Sequence, residues 1–234
     1  MNEIYIGTPF KDPLVRIRRE DNSSISHLYL PKERPNYLVR VLPWCGFQTL
    51  EKIEMGKSLF TELERNYNIG VPRHDVIIGP WPRDDRGAVY TAVERIEGVR
   101  LSEARVDNKT AESFCSFLLA YFSDKYEANG YFLADLHPFQ FLYGTRKGDA
   151  QKRIFLVDID PSFEELKKED PEYIGNGYFF TNLYGLYYII SALEKSCNSG
   201  RFTKIRRKFI SFLNSIEGVS KENQEVIDEL LKLL

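Results

Sequence analysis

The chain is poor in the residues that staple small folds together. Its 234 residues include three cysteines, Cys45, Cys115 and Cys197, which lie far apart and form no Cys-x-x-Cys pair. No disulfide framework or redox motif follows from that spacing, and an odd count fits a reducing compartment. Cys115 and Cys197 sit among apolar residues, where buried free thiols are expected. The histidines, His27, His74 and His137, are equally scattered and assemble no zinc site. Uninterrupted apolar stretches of membrane-spanning length are missing, and the opening MNEIYIGTPF has no apolar signal core. A cytoplasmic protein without a membrane partner is the expectation, and the sequons at Asn22 and Asn108 carry little weight there. Charge of one sign is missing too. Lys and Arg total 32 against 34 Asp and Glu, a formal net charge of -2, which argues against nucleic acid as a partner. The basic run Arg201 to Lys208 reads as the solvated face of a helix.

What is present belongs to a folded protein. Hydrophobic residues make up 43% and charged residues 28%, enough for one sizeable core or two small lobes. Alternation predicts strands over Leu14–Arg18, Ile25–Leu30 and Tyr37–Leu42, the first two as a hairpin around Glu20–Ser24. Ile53, Leu59, Phe60, Leu63 and Tyr67 recur at helical spacing over Thr49–Asn68. Strands follow at Asp75–Ile78 and Ala88–Glu94, and Glu97-Gly98 then reads as a linker. The second half is mainly helical: Thr110–Ala128, closed by Asn129-Gly130, then Phe179–Lys195, Phe202–Ile216 and Ser220–Leu234. A short hairpin of Phe139–Tyr143 and Arg153–Val157 interrupts it.

Carboxylates in apolar surroundings mark the candidate chemistry. Asp135 stands in GYFLADLHPFQFLYG, and Asp158 and Asp160 end the strand RIFLVDID. Residues two apart on a strand share a face, roughly 6 to 7 Å apart. Two like charges so placed shift a pKa or share a cation, for which oxygen ligands suit Mg²⁺ or Mn²⁺. A turn opened by Asp160-Pro161 and capped by Asp158 is the structural alternative.

The run Asp135-Leu136-His137-Pro138-Phe139-Gln140, followed by LVDID, resembles the kinase-like phosphotransferases of the aminoglycoside and choline kinase branch. The resemblance is specific over Ala134–Pro161 and looser elsewhere. It implies an α+β, two-lobed protein-kinase-like fold. Residues 1–97 would form a small antiparallel β-rich nucleotide-binding lobe with one long helix, and residues 98–234 a mainly helical catalytic lobe. It further implies Asp135 as the catalytic aspartate that accepts or orients a hydroxyl proton. Asp158 would hold Mg²⁺ with Asp160 beside it, and Gln140 stands at an asparagine position that binds metal or steadies the loop. Arg40 would contact phosphate, paired with Glu54 or, second, Glu51, because a mid-strand arginine is costly to bury alone. The backbone from Glu94 to Ile96 would bind adenine, and Asn182 falls where a helix residue braces the catalytic loop.

Three departures stand out. No glycine-rich loop separates the first two strands, Leu133 replaces a histidine two residues before Asp135, and Gln140 is one methylene longer than asparagine. The expected function is an ATP- and Mg²⁺-dependent transfer of phosphate to a hydroxyl of a small molecule. The alternatives are a pseudokinase-type binding or scaffold module of the same fold and a DxD glycosyltransferase.

Overall fold

Short runs of strand-forming residues recur through the first hundred positions, and they pair there into an antiparallel sheet. In the computed structural model, residues 4–5, 12–17, 27–43, 50–80, 87–157, 163–197 and 202–234 are described. Strands β1 (Ile4–Tyr5), β2 (Leu14–Arg16), β3 (His27–Pro31) and β4 (Tyr37–Pro43) precede helix α1 (Leu50–Asn66), and β5 (His74–Pro80) and β6 (Gly87–Glu94) follow it. All pair antiparallel, in the order β1-β2-β3-β4-β6-β5. The expected order of three strands, a helix and two strands is therefore present, preceded by the two-residue β1.

Register sorts the side chains. Val39 lies opposite Ala92 and Val41 opposite Tyr90, and these residues with Leu14, Tyr29 and Ala88 form a small apolar core. Arg40 lies opposite Thr91 and therefore on the other face, with Val93 and its partner His74. Helix α1 packs on that face: the Phe60 and His74 rings meet edge to face at 5.1 Å.

The connection after β6 is not a linker. Glu97–Arg100 is strand β7, paired antiparallel with β9 (Phe141–Thr145), which pairs in turn with β10 (Arg153–Leu156). All four β7 residues are exposed, so no burial alternation marks the strand in the sequence. Its glycine has a packing reason. Gly98 opposes Gly144, where a Cβ on Gly144 would come within 2.2 Å of the Glu97 carbonyl oxygen.

Helix α2 (Asn108–Ala128) begins at an Asp107 cap and ends at Asn129 in the left-handed region. Then come β8 (Tyr131–Leu133), a 3₁₀ turn over Pro138–Gln140, β11 (Phe163–Glu165) paired with β8, and helices α3 (Ile174–Ser196), α4 (Phe202–Asn214) and α5 (Lys221–Leu233). Leu59, Phe60 and Leu63 of α1 share one core with Phe114, Leu118 and Phe122 of α2 and Phe179, Leu183 and Leu186 of α3. The large core thus crosses the division expected at residue 97, because α1 turns its apolar stripe toward the C-terminal helices. Cys115 and Cys197 are buried free thiols, and Lys204, Arg207 and Lys208 lie on the exposed side of α4. No helix among the described residues is long and apolar enough to cross a membrane.

Candidate functional site

Strand β8 ends at Leu133, and the chain then turns sharply. Asp135 sits at the bend with φ 57°, a conformation rare for a residue with a side chain. Aspartate tolerates it better than most residues. The carboxylate is exposed while Ala134 and Leu136 on either side are buried.

The surrounding structure over-determines this bend. Asn182 of α3, 1% exposed, accepts the Leu136 N–H at its Oδ1 (2.6 Å) and donates from Nδ2 to the Leu133 carbonyl (2.7 Å). One carboxamide thus spans the residues on both sides of Asp135. Gly185, one turn further along α3, leaves room for the Leu136 carbonyl oxygen, which a Cβ there would approach within 2.0 Å. The Leu133 N–H donates to the hydroxyl of Tyr121 on α2 at 2.8 Å. Burial holds that hydroxyl above the usual tyrosine range, so it stays protonated. Leu133 itself points into the core. Where the family resemblance implies a histidine brace, this chain uses backbone groups held by Tyr121 and Asn182.

The loop is fixed beyond Asp135 as well. The His137 ring accepts from the Phe139 N–H (3.4 Å) and stacks on the Phe139 ring with centroids 4.7 Å apart. The Gln140 carboxamide oxygen accepts from the His137 N–H at 3.1 Å, closing a capping box. Of the two roles considered for Gln140, the loop-steadying one is present here.

Asp158 and Asp160 lie outside the described residues, but their flanks do not. The Val157 N–H donates to the Gln140 carbonyl at 2.8 Å, and Phe163 lies opposite Leu133 in the β11–β8 pair. Both described residues that bracket the LVDID carboxylates are thus attached to the loop of Asp135. Among the described residues no group of three His, Cys, Asp or Glu side chains is positioned to hold a metal. The described donors, Asp135 and an already engaged Gln140, do not make a cation site alone, so a metal reading rests on Asp158 and Asp160.

The N-terminal candidates divide. Arg40 is half-buried on the sheet face that carries α1. Glu54 is not its partner: it is exposed and pairs with Lys57 at 3.2 Å, three residues along the same helix. The spacing of α1 turns Glu54 to solvent, and the side chain of Glu51 is not described. Among the described glutamates of α1, Glu64 meets Arg146 at 2.8 Å and Glu62 meets Lys125 of α2 at 2.6 Å. Glu94 is 8% exposed and points backward, accepting the Arg73 N–H at 3.2 Å and facing Arg146 Nε at 3.6 Å. The amides of Glu94 and Arg95 are also used internally, donating to the Arg73 and Asn36 carbonyls. Among the described residues, Ile96 is left as the amide of this segment without such a partner.

Tyr121, Gly185 and Arg146 were not singled out by sequence. A glycine inside the apolar run TNLYGLYYII is a visible sign of close packing; Tyr121 and Arg146 carry no such sign. Compared with known families and characterised proteins, the chain matches no family model and no curated protein sequence.

Proposed function

We propose that the protein is a two-lobed kinase-like phosphotransferase that moves a phosphate from ATP to a hydroxyl of a small molecule. The observation that carries this reading is the held bend at Asp135. A surface carboxylate in an unfavourable backbone conformation is gripped by Asn182 on both sides, and strained, over-determined positions cluster at functional sites.

In this reading Asp135 orients the acceptor hydroxyl and takes its proton as the oxygen attacks the terminal phosphorus. Arg40 reaches the phosphates from the sheet face that carries α1, and its guanidinium suits bidentate contact with phosphate oxygens. The Ile96 amide offers a hydrogen bond to the adenine edge. Asp158 and Asp160 would hold Mg²⁺, which when bound neutralises charge on the nucleotide phosphates. The antiparallel opening sheet speaks against the glycosyltransferase alternative, which needs a parallel βαβ unit.

One observation favours the second reading, a pseudokinase that binds without transferring. The Gln140 oxygen is engaged by the His137 N–H, which competes with a role as metal ligand. Incubation with γ-labelled ATP, Mg²⁺ and a panel of small alcohols and sugars tests the proposal. Label should reach an acceptor with the wild-type chain and not with Asp135→Asn. Transfer undiminished in Asp135→Asn would remove the catalytic assignment. Thermal stabilisation by about millimolar ATP and Mg²⁺ without any transfer would favour the pseudokinase.

A further inference from the structure

Arg146 follows β9, yet its three polar partners all come from the first 97 residues. Its Nη2 donates to Glu64 Oε1 of α1 at 2.8 Å and to the Val71 carbonyl in the α1–β5 connection. Its Nε faces Glu94 Oε2 at the end of β6 at 3.6 Å, an ion-pair separation rather than a hydrogen bond. The group is 18% exposed and Glu94 8%, so these charges are screened weakly by solvent. Arg146 and Arg153 both stand 5.5 Å from the Phe155 ring, and Arg153 adds a second contact to Glu64 at 3.6 Å.

Backbone bonds fix the same point. The Gly70 N–H donates to the Ile154 carbonyl (3.0 Å) and the Leu156 N–H to the Gly70 carbonyl (2.8 Å), around Phe155. Lys125 also pairs with Glu62 of α1 at 2.6 Å, and just past the end of α1 the Tyr67 hydroxyl donates to Asp124 at 2.7 Å, Lys125 and Asp124 both lying on α2. Helix α1 is therefore attached to the C-terminal half at two separate places, as well as through its apolar stripe.

We propose that Arg146 is a positioning residue that fixes the Glu94–Ile96 segment against β10, so that the two halves move as one body. Its partner Glu94 lies two residues before the Ile96 amide, and β10 ends two residues before Asp158. The planar guanidinium suits this task because its Nη2 hydrogen-bonds Glu64 and the Val71 carbonyl while its Nε faces Glu94 at ion-pair distance. The consequence for nucleotide affinity rests on the phosphotransferase reading. The mechanical statement does not.

Hydrogen exchange of wild-type, Arg146→Met and Arg146→Lys chains separates the two. In Arg146→Met the Gly70 and Leu156 amides should exchange about tenfold faster or more, while core amides of α2 and α3 keep their wild-type rates. Arg146→Lys should fall between, because an ammonium cannot reproduce the fork. Unchanged exchange at Gly70 and Leu156, or equal acceleration throughout α2 and α3, would overturn the proposal. If Arg146→Met yields no folded protein, Glu64→Ala decides, since it removes an acceptor of Arg146 at a residue 38% exposed. Exchange at the Gly70 and Leu156 amides should speed up selectively in that variant, and unchanged exchange there would overturn the proposal. A nonhydrolysable ATP analogue with Mg²⁺, titrated into the same proteins, should bind Arg146→Met several-fold more weakly than wild type. Absence of binding to the wild type overturns the phosphotransferase reading and leaves the exchange result to decide the role of Arg146.

Discussion

Gly185 lies directly beneath Leu136: a methyl group on the helix residue would come within 2.0 Å of the loop carbonyl oxygen. The obstacle is backbone rather than a flexible side chain, so either the loop or α3 must move. Gly185→Ala should therefore cost about 1 to 3 kcal/mol in urea unfolding, the range for overpacked interiors. Displacing the Asp135 loop by about an ångström should cost far more in phosphotransfer, on the order of 100-fold. Comparing unfolding midpoints with turnover checks this. Wild-type turnover in Gly185→Ala would mean that the close approach is irrelevant to the site.

Asn182 acts on the same loop through hydrogen bonds rather than shape. Replacing it with the similarly sized leucine keeps the volume and strands the Leu133 carbonyl and the Leu136 N–H inside the core. Two buried unsatisfied groups at about 1 to 3 kcal/mol each predict a loss of roughly 2 to 6 kcal/mol in ΔG of unfolding, hence a marginal fold. Asn182→Leu should also free the β8–3₁₀ connection, read as faster exchange of the Leu136 amide. A loss below about 0.5 kcal/mol would show that water satisfies both groups, against this account.

Much of this arrangement was legible in the sequence, for reasons particular residues make plain. Asp135 stood out because a carboxylate among Phe132, Leu133, Ala134 and Leu136 contradicts its surroundings, and three of those neighbours flank a bend that is buried on both sides. Helix α2 was legible down to its Asn129 terminus because both its apolar stripe and its stop signal are local. Glu54 shows the limit. Helix α1 has several glutamates, and which one pairs depends on a cation from a distant part of the chain, Arg146, 82 residues beyond Glu64. Strands β8 and β11 have three residues each and gain their identity by pairing across thirty or more positions, so no local period announces them. Strand β7 failed for another reason, since four exposed residues leave nothing to alternate.

Acid should weaken the start of α2 through Asp107. Its hydrogen bonds with Thr110, first from the side chain and then from the backbone N–H at 2.9 Å, hold its pKa below the ordinary 3.8. Because the folded value is the lower one, the cap contributes fully above the unfolded pKa and is lost as pH falls through the folded value. Asp107→Ala should cost about 1 kcal/mol at neutral pH. Asp107→Asn should keep most of the cap and flatten the acid limb, since its oxygen accepts without titrating. Urea midpoints at about pH 7 and about pH 3 for the three chains check both statements, and an acid limb of wild-type steepness in Asp107→Asn would assign it to other carboxylates.

Gln140 offers the sharpest division between a transferring and a merely binding protein. Its side-chain oxygen reaches the His137 N–H, while its backbone carbonyl holds Val157. Gln140→Asn shortens the carboxamide by one methylene and leaves the backbone bond untouched. The shorter group no longer spans to His137, so stability should fall by about 0.5 to 1.5 kcal/mol, the net worth of one hydrogen bond. Its oxygen is then released from that bond. If the glutamine is what limits metal binding, stabilisation by ATP should become more dependent on Mg²⁺ in Gln140→Asn than in the wild type, while stabilisation by ATP alone stays the same. Thermal shifts with and without Mg²⁺ measure that difference directly. Equal dependence in the two chains would mean that Gln140 serves the loop alone, and that any cation is held by the carboxylates without it.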